Sequence, residues 1–116
     1  MDTMITIEKI KENFLILAIE HGVAYANGDY KEANKLHKKL QSLYNQANKQ
    51  NQSDIFSEFI INENRSVKLW AASFTLRVFP DLAEKTLEEI STLSDSFGTT
   101  AQILLKLWRE DNSKVL

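Results

Sequence analysis

The chain contains no cysteine. That excludes disulfides, thiolate nucleophiles and cysteine-ligated metal clusters together. It also suits a reducing compartment, where disulfides do not persist. One proline and three glycines leave few places for the backbone to turn, so each is expected to punctuate the fold. Apolar runs such as "FLILAI" and "LWAA" are short, far below the ~20 residues a membrane-crossing helix requires. The opening "MDTMITIEKIKENF" lacks the basic start, apolar middle and small-residue cleavage site of a secretion signal, and a cytoplasmic protein is expected. No phosphate loop, nucleophile elbow or nucleotide fingerprint occurs, so neither an enzymatic role nor a cofactor is expected.

Charge of one sign is also missing. The net charge is -2. Residues 1–52 carry seven Lys/Arg against six Asp/Glu, and residues 53–116 carry seven against ten. A protein whose main partner is a nucleic-acid backbone shows a basic excess, and neither half does.

What remains is one domain's worth of chain, residues 1–116, with 43% hydrophobic and 26% charged residues. Its pattern is helical almost throughout. The first helix is expected over Thr6 to Asn27, with Ile10, Phe14, Leu17, Ala18, His21 and Ala24 at helical spacing. Gly22 lies inside it and marks a close helix contact. Gly28 offers a left-handed stop. Asp29 and Glu32 have the spacing of a capping box that opens a second helix, running to about Lys49. "NKQNQS" is then a polar loop. Ser53 is expected to cap a short third helix near Asp54 to Ile61, and Asn64 to cap a fourth. Pro80 suits the first turn of a fifth, where its missing N–H is harmless. Thr99 and Gln102 form a second capping-box match and are expected to open the sixth, toward Trp108. Six helices joined by short turns make an all-α domain.

The fourth helix is the most informative. At 100° per residue, Val67, Trp70, Ala71, Phe74 and Val78 fall together, while Leu69, Ala72, Leu76 and Phe79 fall opposite. Thin polar strips separate the two faces, one holding Lys68 and Thr75, the other Ser73 and Arg77. A helix at the edge of a domain needs one apolar face. Two opposed faces place this helix between neighbours, and the adjacent Ala71 and Ala72 let those neighbours approach.

Stacked helix pairs are the logic of α-solenoids. Asn64, Val67-Lys68 and Ala71/Ala72 resemble the cap and opening of the second helix of a HEAT-type repeat. Across "HGVAYANGDYKEANKLHKKL", "NENRSVKLWAAS", "FPDLAEKTLEEI" and "ILLKLWRED", the chain resembles a small bacterial family of unassigned function with a HEAT-like α-α superhelical fold. Arg65 departs from that pattern, which often carries proline after the cap. The resemblance implies three antiparallel helix pairs, formed by helices 1–2, 3–4 and 5–6, and brings no catalytic residues.

Candidate chemistry is sparse. His21 and His37 are the only histidines, and they lack the spacing and third partner of a metal site, so no metal is expected. His21 reads as a half-buried helix residue, and His37 borders the apolar stripe of its helix. Asp81, Glu84, Glu88 and Glu89 read as a solvated helix face. Lys35, Lys38 and Lys39 form the only basic cluster, with Tyr30 and Tyr44 as its nearby aromatics. Trp70 and Trp108 read as core. The expectation is a non-catalytic module whose second helices dock a protein partner on a shallow concave surface. Asn34, Lys38, Lys68, Thr75 and Arg77 are the candidate binding residues. A toxin-neutralising, immunity-type protein is its most concrete form, by analogy of size and class. Nucleic-acid binding through the helix 2 lysines is the alternative.

Overall fold

The computed structural model describes residues 5–110, and among them it is all-α, without strands. Helix α1 spans Ile7–Ala26, with the Thr6 hydroxyl accepting from the Lys9 N–H (3.2 Å). Gly28 ends it with φ +74°, a conformation side chains with a Cβ rarely adopt. Helix α2 spans Tyr30–Lys49. Asp29 caps it by accepting from the Glu32 N–H (3.2 Å), so the Asp29 half of the expected box forms.

The third element differs from expectation. Ser53–Phe59 is a 3-10 helix, here η1, and Ser53 is its first residue rather than its cap. Three residues per turn set Phe56 and Phe59 one above the other. Both rings meet Phe14 of α1, with centroids 5.1 and 5.0 Å away.

Helix α3 spans Arg65–Thr75, and the Asn64 side chain accepts from the N–H groups of Ser66 (3.0 Å) and Val67 (3.1 Å). It ends sooner than the apolar pattern suggests. Pro80 bars helical geometry from the residue before it, and Phe79 sits at φ -132°, ψ 74°. Phe79, expected on a buried face, is therefore 45% exposed. Helix α4 spans Pro80–Ser91, with proline in its first turn as expected.

Helix α5 spans Ser96–Glu110. Its cap is Asp95, which accepts from the Phe97 (3.0 Å) and Gly98 (3.2 Å) N–H groups. The Thr99/Gln102 box does not open this helix. Asp95 stands earlier and brings a carboxylate to the positive helix end, where it also pairs with Arg65. Thr99 falls within the first turns, and the Gln102 amide donates to the Ser91 carbonyl (2.9 Å).

Helix α1 packs on α2 and α4 on α5, while α3 packs against both η1 and α4. Helix α3 separates two cores. Val67, Ala71 and Phe74 join Ile10, Phe14, Leu40, Tyr44 and Phe56 in one. Leu69, Ala72 and Leu76 join Ala83, Leu87, Ile90, Ala101 and Leu105 in the other. Val67, Ala71, Ala72, Phe74 and Leu76 are all fully buried, so α3 is covered on both sides. Phe74 lies 4.9 Å from both Tyr44 and Phe56, ring to ring. Such contacts contribute about 0.5–1.5 kcal/mol each beyond area burial.

Close approach of α1 to α3 depends on Gly22. A Cβ there would lie 2.6 Å from the Ser66 Cβ. The Ser66 hydroxyl instead donates to the Ala18 carbonyl (2.6 Å), tying the start of α3 to α1.

At the other end, the acidic face of α4 is engaged rather than merely solvated. Arg109 donates to Glu84 (3.3 Å) and Glu88 (2.8 Å), and the Trp108 indole N–H donates to Glu84 (3.1 Å). The Arg77 guanidinium lies 5.9 Å from the Trp108 ring centroid. No described helix is long and apolar enough to cross a membrane.

Candidate binding cavity

A cavity of about 430 Å³ opens where α1, α2, α3 and α5 converge. This volume is in the range of small-ligand sites. Helix α2 supplies one wall through Tyr30, Asn34, His37 and Gln41. These residues recur every three or four positions and so share a helix face. Helix α3 contributes Ser66, Trp70 and Ser73, while α5 contributes Phe97, Thr100 and Leu104. His21 and Tyr25 come from the last turns of α1. Helices α1, α2, α3 and α5 therefore meet in one hollow.

Trp70 is its hub. The indole N–H donates to His21 Nδ1 at 3.3 Å, and the two rings stand edge-on, 5.1 Å apart at 84°. His37 stands edge-on to the same indole, also at 5.1 Å. Because His21 Nδ1 accepts, its neutral imidazole carries the proton on Nε2. No second hydrogen bond from His21 is made among the described residues. Burial pushes the pKa of His21 below its usual 6.5, and the nearby charge of His37 pushes the same way.

Tyr25 closes the α5 side. Its ring lies 5.9 Å from Phe97 and 6.2 Å from Tyr30, and its hydroxyl shares a hydrogen bond with Thr100 (3.0 Å). Among the described residues, the lining holds no Asp, Glu, Lys or Arg. Charge lies outside, on the exposed flank of α2, where Lys31, Lys35, Lys38 and Lys39 outnumber the single acid Glu32. The arrangement can grip a flat ring, offer it one donor from His21 and amides from Asn34 and Gln41, and draw in negative charge.

Of the residues singled out from sequence, Asn34 lines the cavity. Lys38 is exposed beside it on α2, while Lys68 is half-buried on α3 and outside the lining. Thr75 is a correction: it is 0% exposed, and its hydroxyl donates to the Ala71 carbonyl at 2.6 Å, so it belongs to no docking surface. A threonine whose hydroxyl is satisfied within its own helix enters a core with little penalty. Arg77 lies past the end of α3, over Trp108, away from the cavity.

Sequence reasoning missed the aromatic wall because Trp70 read as core. The available signal was the α2 stripe, where Tyr30, Asn34, His37 and Gln41 continue an apolar row with side chains that have polar ends. Among the described residues, no group of three or more His, Cys, Asp or Glu could hold a metal ion. No family model, curated protein or solved structure matches this chain.

Proposed function

We propose that the protein is a non-catalytic interaction module of HEAT-like construction, which docks an acidic partner protein by receiving one of its aromatic side chains. One observation carries this reading: α2, α3 and α5 converge on a single aromatic cavity bordered by the lysines of α2. An aromatic anchor in a desolvated pocket with a charged rim is how protein interfaces concentrate affinity. The positive flank selects acidic partners and speeds their approach. A toxin-neutralising, immunity-type protein is one concrete form of such a module, suggested by its size.

The test uses a pentapeptide with a central tyrosine between pairs of glutamates. Calorimetry at about pH 8 is expected to show binding that drops at least tenfold when the tyrosine becomes alanine, and again when the glutamates become lysines. If the original peptide does not bind, or all three bind equally, the reading fails.

A second reading is supported by the same placement. Aromatic rings beside Lys35, Lys38 and Lys39 are also what a single-stranded nucleic acid uses, with bases stacking and phosphates on the lysines. It predicts oligonucleotide binding at low salt that weakens steeply as salt rises. Absence of binding at low salt removes it.

A further inference from the structure

We infer that the cavity is an acid-released receptor for an uncharged ring bearing a hydrogen-bond acceptor, and that the His21–Trp70 pair is the latch. This rests on the reading of the cavity as the recognition site.

The ring class follows from the lining. Without a carboxylate, the cavity offers a cation no counter-charge. A neutral flat ring meets Trp70, Tyr25, Tyr30 and Phe97. With Nδ1 occupied by the indole, the Nε2–H of His21 is the imidazole's remaining polar group, and it is a donor. A phenol fits both conditions, since its oxygen accepts.

The latch follows from the surroundings of His21. From its own helix it faces Tyr25, and from α2 it faces His37 and Tyr30. Helix α3 presents Ser66, Trp70 and Ser73, and α5 presents Phe97, Thr100 and Leu104. None of these is an Asp or Glu. Protonation turns Nδ1 from acceptor to donor, so two N–H groups would face one another across the present 3.3 Å. His37 lies nearby, and its charge opposes protonation of His21 rather than relieving it. His21 or Trp70 must then move, and both form the cavity wall. The lowered pKa of His21 keeps the latch shut to a lower pH than an ordinary histidine would.

The experiment measures the affinity of N-acetyl-tyrosinamide from about pH 8 to about pH 5 by ligand-observed NMR. The indole N–H resonances of Trp70 and Trp108 are followed in the same samples. The unmodified chain is expected to lose at least tenfold in affinity, while the Trp70 resonance shifts with a midpoint below 6.5. His21→Gln keeps an acceptor for the indole and cannot titrate, so both changes should vanish. Equal affinity at the two pH values, or a drop that persists in His21→Gln, overturns the latch. Failure of the probe to bind at pH 8 overturns the cavity as a phenol receptor. The Trp70 resonance still judges the latch in that case: a shift absent from His21→Gln supports it, and no shift refutes it.

Discussion

Gly22→Ala is the sharpest test of the packing between α1 and α3. In an exposed helix interior the change would stabilise by about 0.5–1 kcal/mol, because alanine loses less backbone freedom on folding. Here the new methyl would lie 2.6 Å from the Ser66 Cβ and 3.0 Å from its Oγ. Rotating Ser66 would leave its Cβ in place, so the two helices would have to separate, which strains the bond from the Ser66 hydroxyl to the Ala18 carbonyl. Overpacking costs about 1–3 kcal/mol, and a buried hydrogen bond lost costs about another 0.5–1.5. The penalty exceeds the propensity gain, leaving a net loss of about 1–3 kcal/mol. Urea unfolding should register this as a midpoint lowered by about 1 M at an m-value of about 1–3 kcal/mol/M. Adding Ser66→Gly removes the clashing Cβ, and a double-mutant cycle should return a favourable coupling of roughly 0.5–3 kcal/mol. A more stable Gly22→Ala protein, or a coupling of zero, would refute the proposed close contact.

Ala71→Leu, at a fully buried position of α3, should destabilise by about 1–3 kcal/mol in the same assay; a neutral result would mean the layer is not closed. Gln46 has a buried side-chain oxygen without a hydrogen-bond partner among the described residues, so Gln46→Met should raise stability by about 1 kcal/mol, read as a higher urea midpoint. Because burial holds the folded pKa of His21 below its unfolded 6.5, acid favours proton uptake by the unfolded chain. Its contribution is constant above about pH 6.5, declines as pH falls toward the folded pKa, and levels off below it. Unfolding of His21→Gln compared with the unmodified chain across that window should isolate this slope.

The fold was legible where one residue type had one job. Gly28, Pro80 and Asn64 stand where their backbone chemistry places them, and the two apolar faces of α3 could be counted on a wheel. Boundaries failed where two signals competed. Thr99 and Gln102 matched a capping box, but Asp95 is the stronger cap and is held by Arg65. Phe79 continued the apolar face, yet the proline after it ended the helix first. The cavity was not legible, because its wall is made by residues far apart in the chain. His21 and Trp70 are 49 positions apart, and nothing local to either reports the other. Thr75 looked polar in isolation and is buried because its own helix satisfies it.

Two cores suggest unfolding in two steps. Here both are built on the same 11-residue segment, whose opposite sides belong to different cores. Losing either half would uncover a row of apolar side chains on the half that stayed, so neither is a viable intermediate. The chain should melt in a single cooperative transition, with calorimetric and van't Hoff enthalpies in agreement. Fragments cut on either side of α3 should remain unstructured until both are mixed.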